Sequence, residues 1–247
     1  MDDTFAIVQT DDAPFDFTQV ARVIADPLDL VVAELVPVLS QRSGIFAENL
    51  PEGLAKLCAA GLRHAGINVQ VIAQSAVVEL PEVVMLRSGR PDDAVFFWLA
   101  QERKGVVKWA DVVWVDLVSV QEAATEEFED WRVVNKGGGP TVQHFKSQRV
   151  VTKTPWFIDV VIYEPWLTLR IPQDGFEFTA TGLPVFPTRK DNLTALAATI
   201  ATKATDASRG PGLAWIERRS TPREHRVASQ AVYRGDLRWQ LTRAFLD

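Results

Sequence analysis

The apolar positions of residues 5–72 change period from strand to helix and back to strand. Phe5-Ala-Ile-Val is typical of a short strand, and residues 17–24 and 28–36 then carry apolar side chains at the three-and-four spacing of helices. Asp26-Pro27 is expected to separate these helices, because the residue before proline is pushed out of the helical region. The segment therefore predicts a strand followed by two helices.

A third helix is predicted from residue 51 to residue 65, after a loop that contains Gly44. Pro51 suits the first turn of a helix. The apolar stripe that we expect to face the core consists of Leu54, Leu57, Cys58, Gly61 and Leu62. Gly66 ends this helix, and the alternation of residues 67–71 predicts a half-buried strand directly after it.

The pattern becomes strand-like after Leu80-Pro81, and we place a domain boundary there. Turn sequences such as Pro172-Gln-Asp-Gly separate successive β-like runs. These seven runs are residues 83–87, 94–100, 106–109, 112–120, 150–163, 166–171 and 176–179.

The period turns helical again after the last of these runs. Leu193, Leu196 and Ile200 predict one helix, with Asp191 or Asn192 as its N-cap. The chain is thus expected to have three parts: residues 1–80, residues 81–204, and a linker with a basic helical tail over residues 205–247.

The first part resembles the C-terminal domain of the bacterial ribosomal stalk protein in two segments, Pro27-Leu-Asp-Leu-Val-Val-Ala-Glu-Leu-Val and Pro51-Glu-Gly-Leu-Ala-Lys-Leu-Cys-Ala-Ala-Gly-Leu-Arg-His-Ala-Gly-Ile-Asn-Val-Gln-Val. The resemblance implies a small βααβαβ-type fold, shared with Clp-adaptor-like relatives, and a general protein-binding habit. In the stalk family a lysine-rich surface on the first two helices docks translational GTPases. The matching helices here carry Gln19, Arg22, Val31, Val32 and Glu34. The ribosomal role is therefore not carried over.

About seven strands followed by one helix are also the outline of a pleckstrin-homology-like barrel, in which the helix plugs one open end. The run Val106-Val-Lys-Trp-Ala-Asp-Val-Val-Trp-Val resembles a strand–turn–strand signature of bacterial members of that group. This resemblance covers roughly residues 83–203. The predicted fold class is α+β: the βααβαβ domain, a pleckstrin-homology-like β barrel with a capping helix, and a C-terminal helical tail.

Residues 122–148 interrupt the predicted barrel as a long insertion. Its first part is acidic, with Glu126, Glu127, Glu129 and Asp130, and its second part contains Lys136, three glycines and Pro140. The acids lack the interleaved spacing and turn glycine of a calcium loop, so we predict a solvated acidic face. The glycines lack the Gly-Lys-Ser/Thr ending of a phosphate-binding loop, so we predict a flexible hinge.

The composition is that of a globular protein, with 47% hydrophobic and 23% charged residues among 247. No apolar run approaches the roughly 20 residues that span a bilayer, and Met1-Asp2-Asp3 is unlike the start of a signal peptide. We therefore expect a cytoplasmic protein with no integral membrane segment. Its one cysteine, Cys58, allows no internal disulfide, which fits a reducing compartment.

The net charge of −6 is unevenly distributed along the chain. Residues from Lys203 onward carry nine basic and five acidic side chains, so the preceding residues have a net charge of −10. An acidic body repels the phosphate backbone, and nucleic acid is therefore disfavoured as a partner.

No recognisable catalytic or metal centre is present in the sequence, and we expect no cofactor. His64, His144 and His225 lie in different thirds of the chain, without metal-ligand spacing. Cys58 falls on an apolar helix stripe, which favours a buried core residue over a nucleophile. Neither a Gly-x-Ser-x-Gly elbow nor a Gly-x-Gly-x-x-Gly turn occurs. An enzyme of unrecognised type is consequently the third function class that we consider.

Asp116 is an unusual acid, because it shares a predicted strand face with apolar residues such as Trp114 and Val118. It is either a functional carboxylate or, as we favour, a residue that forms a salt bridge with a neighbouring strand or protects a strand edge. The tryptophans near the predicted strands have two interpretations, core aromatics or an exposed binding surface. They are Trp98, Trp109, Trp114, Trp156 and Trp166.

The basic cluster of the C-terminal part is the first candidate contact site. It consists of Arg218, Arg219, Arg223 and Arg226, and it follows the linker sequence Ser208-Arg-Gly-Pro-Gly. Four arginines beside aromatic residues suit an anionic lipid, RNA or an acidic protein face. Docking on the acidic body of the same chain is the interpretation that we favour.

Two function classes follow from these features. The favoured class is a non-catalytic adaptor or assembly subunit that binds a protein partner or itself. The alternative is a peripheral protein that binds an anionic membrane surface or a lipid headgroup. Its candidate residues are Arg87, Arg90, Arg103, Lys104 and Lys108, whose charge is partly offset by Asp92, Asp93 and Glu102.

Overall fold

The computed structural model describes residues 3–136, 139–218 and 226–246. Its first part contains a three-stranded antiparallel sheet in the order β2-β1-β3, with three helices. The elements are β1 (Thr4–Gln9), α1 (Phe17–Leu28), α2 (Val32–Arg42), β2 (Ile45–Pro51), α3 (Glu52–His64) and β3 (Val69–Ala73). The order βααβαβ is the one that we predicted for this part.

Alternation along β1 separates two apolar layers. Ile7 faces a core that it shares with α1 and α3, including Ile24 and Leu62. Ala6 and Val8 face the opposite side of the small sheet. This second layer needs its own cover, because a sheet that is apolar on both faces must bury both.

Three local predictions for this part were wrong. Pro27 does not break α1, which continues to Leu28 and ends where Asp29 adopts a left-handed conformation. The residues after Gly44 form β2 rather than a loop. Leu57 is 58% exposed, because the buried stripe of α3 runs through alanines and Cys58 instead.

The second part is built on a larger, mixed sheet and one separate ribbon. Its strands are β4 (Glu82–Pro91), β5 (Val95–Ala100), β6 (Lys104–Lys108), β7 (Val112–Val120), β8 (Glu122–Lys136), β9 (Gly139–Lys153), β10 (Trp156–Ile162) and β11 (Leu167–Pro172). The remaining elements are α4 (Arg189–Lys203), β12 (Ser208–Arg209), α5 (Pro211–Arg218), β13 (Arg226–Val227) and α6 (Gln230–Ala244).

The larger sheet follows the open path β12-β7-β10-β11-β4-β5-β6, and β13 also pairs with β7. None of the sheets in the described residues closes into a barrel, in contrast to our prediction. The reason lies in β7, whose second edge is taken by β12 and β13 and is not available to β6. Residues 176–179, predicted as a strand, instead lead into a single 3₁₀ turn at Phe178–Thr181.

The helix α4 lies across one face of this sheet and does not plug a barrel end. Leu193, Leu196 and Ile200 pack into a core with β7, β10 and β11. Its N-cap is Thr188, whose hydroxyl accepts a hydrogen bond from the Asp191 N–H, so both predicted N-cap residues were wrong. The residues predicted as a linker contain β12 and the start of α5.

The helix α6 joins the two parts of the chain. Tyr233, Leu237 and Leu241 pack on the larger sheet. Trp239 covers the second apolar layer of the small sheet, and its indole N–H donates to the Gln9 carbonyl at 3.0 Å. Arg238 donates to both carboxylate oxygens of Glu48, at 2.9 and 2.7 Å. The predicted helical tail is therefore a helix that holds the two parts of the chain together.

The predicted insertion is a β-hairpin formed by β8 and β9, which pair along their whole length. Cross-strand ion pairs help to hold its strands together, and the nearest charged atoms of Glu126 and Arg149 are 3.2 Å apart. Gly137 and Gly138 lie outside the described residues, so the hinge remains a prediction. The acids Glu126 and Glu127 are on the surface, at the base of the hairpin.

Candidate interaction face of the large sheet

The two faces of the larger sheet are covered unequally. One face carries α4 and α5, and the opposite face carries α6 over β7 and β10. Over β4, β5 and β6 none of the described helices covers this second face. Its exposed apolar side chains, which we call the open face, are Val83 (37% exposed), Met85 (52%), Phe97 (37%), Leu99 (46%) and Val106 (56%).

The period of two along each strand explains why these residues are together. Phe96 and Ala100 point into the core. Phe97 follows Phe96 and Leu99 precedes Ala100, so both point to the opposite, outward side of the strand. Val106 stands opposite Phe97 in the β5–β6 register and so shares its side. An outward row of apolar residues on three adjacent strands is unusual, since exposed sheet faces are normally polar.

A cleft of about 600 Å³ lies at the open face. Its lining residues are Ser88, Gly89, Arg90, Phe97, Trp98, Leu99, Lys104, Gly105, Val106 and Ala180. Gly105 permits the close approach of the Trp98 ring, because a Cβ atom there would lie 2.6 Å from the indole. The Trp98 Nε1 atom is buried without a hydrogen-bond partner. The cleft volume is in the range of ligand and peptide pockets.

Basic side chains adjoin this cleft. Arg90 and Lys104 line it, and the Arg90 guanidinium lies 5.1 Å from the centroid of the Phe97 ring. Lys108 is exposed and lies on the same side of β6 as Lys104 and Val106. Cationic groups beside an apolar surface favour a partner that carries both apolar and anionic groups.

The five predicted anion-binding residues are therefore only partly brought together. Arg90, Lys104 and Lys108 lie on or beside the open face. Arg103 is engaged in a two-pronged ion pair with Glu82, at 2.9 and 3.2 Å. Arg87 is exposed at the β-bulge of β4, where the register with β5 shifts.

The predicted C-terminal arginine cluster falls mostly outside the described residues. Arg219 and Arg223 are in the segment that the structure does not describe, and Arg218 ends α5. Arg226 begins β13, where it is exposed and pairs with Ser119 of β7. The role of the cluster remains a prediction.

A buried polar network, which sequence reasoning missed, lies under α6. Asp159 is fully buried and accepts two hydrogen bonds from the Arg170 guanidinium, at 2.7 and 2.6 Å, and one from the Tyr233 hydroxyl at 2.9 Å. Burial disfavours the charged guanidinium, yet the bonds to Asp159 raise the Arg170 pKa. One charged residue in each of two apolar strands was the signal that could have revealed this pair.

Asp116 stands directly opposite Asp159 in the β7–β10 register. Burial raises its pKa to about 7, although the N–H groups of Gly212 and Leu117 favour the ionised form. It accepts a hydrogen bond from the Gly212 N–H at 3.0 Å and forms no ion pair with any residue that the structure describes, so the predicted salt bridge was wrong. The cation of this region, Arg170, pairs with Asp159 instead.

This polar network has little room for a substrate. The cavity beside Asp159 and Tyr233 has a volume of about 10 Å³, which is about the space of one water molecule. The network therefore fits a structural role: it satisfies buried polar groups and attaches α6 to the sheet.

The structure describes most of the other residues that the sequence analysis singled out. Cys58 is fully buried, and burial raises its pKa. Trp109, Trp114 and Trp156 are core residues, whereas Trp98 lines the cleft. His64 is an exposed residue in the last turn of α3.

Two kinds of special site are absent from the described ranges. No group of three or more His, Cys, Asp or Glu side chains there has the arrangement of a metal site. Across the same residues, none of the helices combines the length and the apolar character that crossing a membrane requires. Comparison with protein-family models, curated proteins and solved structures gave no match, so the function must be argued from the site itself.

Proposed function

We propose that this protein is a non-catalytic adaptor or assembly subunit that binds a protein partner through the open face. The observation that carries this proposal is the uncovered apolar row on β4, β5 and β6, beside a cleft of about 600 Å³. Contiguous exposed apolar surface marks interaction sites in soluble proteins. Helices cover the rest of the larger sheet among the described residues, so the uncovered apolar surface is limited to this one region.

The chemistry of the face indicates the kind of partner. Phe97, Leu99 and Val106 offer an apolar surface, and Arg90 and Lys104 place positive charge at its cleft. A peptide segment with apolar side chains and at least one carboxylate matches both features. The βααβαβ order of the first part supports the same class, because the stalk-like resemblance implies a protein-binding habit.

An anionic membrane surface is the second candidate partner. Exposed apolar residues next to Arg90, Lys104 and Lys108 are also the features by which peripheral proteins bind anionic lipids. This candidate rests on the open face alone, since the open sheet gives no support to a pleckstrin-homology-like barrel. A cytoplasmic location remains an expectation in either case.

A matched pair of surface variants tests both candidates. Leu99→Ser with Val106→Ser makes the open face polar, while Leu57→Ser removes a leucine of similar exposure from α3. Each protein is used in pull-downs from host extract with mass spectrometry, and in sedimentation with vesicles containing phosphatidylserine. We expect the double variant to lose a specific protein that wild type and Leu57→Ser both retain.

The outcomes separate the two candidates. Loss of vesicle binding in the double variant, with no change among captured proteins, would favour the membrane surface. If the double variant keeps every partner and all vesicle binding while its melting temperature is unchanged, the open face has no binding role.

A further inference from the structure

The strand β6 ends the path of the larger sheet and leaves one of its edges open. Among the strands that the structure describes, it pairs with β5 alone. This pairing is antiparallel and regular, from Val95 opposite Lys108 to Leu99 opposite Lys104, without a bulge. The N–H and C=O groups along an unpaired strand edge are available to a further strand.

Hydrogen bonds at both ends of the β5–β6 pair show which residues face the open edge. The Ala100 N–H donates to the Arg103 carbonyl at 2.7 Å, and the Trp109 N–H donates to the Ala94 carbonyl at 3.3 Å. Opposite residues of an antiparallel pair alternate between hydrogen-bonded and non-hydrogen-bonded pairs. The odd-numbered residues from Arg103 to Trp109 therefore bond to β5, and the even-numbered residues between them direct their N–H groups to the open edge.

The same even-numbered residues, Lys104, Val106 and Lys108, carry their side chains on the open face. All three are exposed, whereas Val107 between them is buried in the core. Val106 stands opposite Phe97 of β5, so an apolar row crosses the last two strands and stops at the open edge. A strand added at this edge would continue the row, because residues directly opposite each other share a face.

Positive charge surrounds the end of this row. Neither Lys104 nor Lys108 forms an ion pair with any residue that the structure describes. Of the acids near them in the sequence, Asp93 pairs with Lys203 at 3.1 Å, and Glu102 lies in the turn before β6. The edge therefore offers two unpaired ammonium groups, one on each side of an exposed valine.

These side chains disfavour one occupant of the edge and match another. Antiparallel pairing with β6 of a second copy in full register would set Lys104 directly opposite Lys108, and like charges in that position are destabilising. A strand with an acid opposite each lysine and an apolar residue opposite Val106 forms two attractive pairs and one apolar pair instead. Since side chains alternate between the two faces, its sequence pattern is acid-x-apolar-x-acid.

We propose that the partner of the open face adds to β6 as an antiparallel strand with the pattern acid-x-apolar-x-acid. Its main chain bonds to the edge groups of β6, and its alternate side chains extend the open face. This inference rests on the proposed function, because it assigns the partner's residue pattern and main-chain contacts at that same face.

The first test uses the full-length protein labelled with ¹⁵N and the synthetic peptide acetyl-Thr-Glu-Thr-Val-Thr-Glu-Thr-amide. We expect the peptide to slow hydrogen exchange of the Lys104, Val106 and Lys108 amides. The Gly105 and Val107 amides already bond to β5 and should gain no protection. A peptide with lysines in place of both glutamates should bind about tenfold more weakly. No binding of the acidic peptide at about 2 mM, or equal binding of the two peptides, would overturn the proposal.

Methylation of single peptide nitrogens distinguishes an added strand from other ways of binding the open face. The N–H of the central valine faces β6, whereas the N–H groups of the two threonines beside it face away. N-methylation of the valine should weaken binding about tenfold or more, and N-methylation of an adjacent threonine less than about threefold. Equal effects of the two methyl groups would contradict strand addition, and this comparison needs no change to the protein.

A pair of variants at Val106 separates failure of this inference from failure of the proposed function. Val106→Pro removes the N–H that faces the open edge and leaves the bonds to β5, whereas Val106→Ala shortens the side chain and keeps the N–H. In pull-downs, we expect Val106→Pro to lose the partner that Val106→Ala retains. If both retain it while Leu99→Ser with Val106→Ser loses it, the open face binds without an added strand and only this inference fails. If that double variant also retains every partner, the proposed function fails as well.

Discussion

Replacing Asp116 by asparagine should remove a large part of the pH dependence of stability. The carboxyl group is fully enclosed between β7 and the start of α5, where it accepts a hydrogen bond from the Gly212 N–H. Its pKa is raised from 3.8 to about 7, mainly by burial and to a smaller extent by the nearby carboxyl groups of Asp159 and Asp236. Asparagine keeps an oxygen acceptor for the Gly212 N–H but cannot ionise.

The sign of the effect follows from proton linkage. Because the folded-state pKa lies above the unfolded-state value, the folded protein binds more protons between about pH 4 and 7, and its stability falls as the pH rises through this window. From about pH 5 to about pH 8 the loss attributable to Asp116 is about 2.5 kcal/mol. Asp236, whose pKa burial raises to about 6, adds about 1.5 kcal/mol to the wild-type loss.

Urea unfolding of the full-length protein at about pH 5 and about pH 8 measures this difference directly. The wild type should lose about 4 kcal/mol between the two conditions, and Asp116→Asn only about 1.5 kcal/mol. Asp174→Asn removes an exposed carboxylate and serves as the control, with the same loss as wild type. Equal losses in Asp116→Asn and wild type would refute the assignment of a raised pKa to this residue.

Three further predictions concern packing. Trp239→Ala should lower the free energy of unfolding in urea by about 3–5 kcal/mol, because it uncovers the second apolar layer of the small sheet and removes the hydrogen bond to the Gln9 carbonyl. A decrease below about 1 kcal/mol would contradict the role of α6 in holding the two parts together. Leu57→Asp should change stability by at most about 0.5 kcal/mol, whereas Leu62→Asp should unfold the protein, as circular dichroism would show; equal effects would place both leucines in the same environment. Native Cys58 should react with a thiol reagent far more slowly than in denaturant, and equal rates would show that it is accessible.

The spacing of apolar residues along the sequence predicted strands and helices correctly where the buried side chains follow the regular period of the element. The run over residues 112–120 became β7 with the predicted bounds, and α3 begins and ends within one residue of its prediction. Leu57 shows the limit of this reasoning. A helix stripe of small residues can pack as closely as one of leucines, and only the position of the neighbouring elements decides which stripe is buried.

Three residues that the sequence analysis singled out by charge, Arg90, Lys104 and Lys108, lie at the open face. The apolar row beside them was not recognised from the sequence. Phe97 and Leu99 look like ordinary strand residues in the sequence. Their exposure depends on where α6 lies, and its position depends on contacts with Gln9 and Glu48.

The sequence by itself determined the local structure, because the period of apolar residues, the turn residues and the helix ends act over a few neighbouring positions. It also determined the charge asymmetry of the chain, whereas the βααβαβ order of the first part came from the stalk-like resemblance, because the apolar pattern did not predict β2. Tertiary structure alone decided that the larger sheet stays open, that α6 joins both parts, and that Asp159 rather than Asp116 pairs with Arg170. These outcomes depend on which distant segments meet, and no local pattern records such contacts.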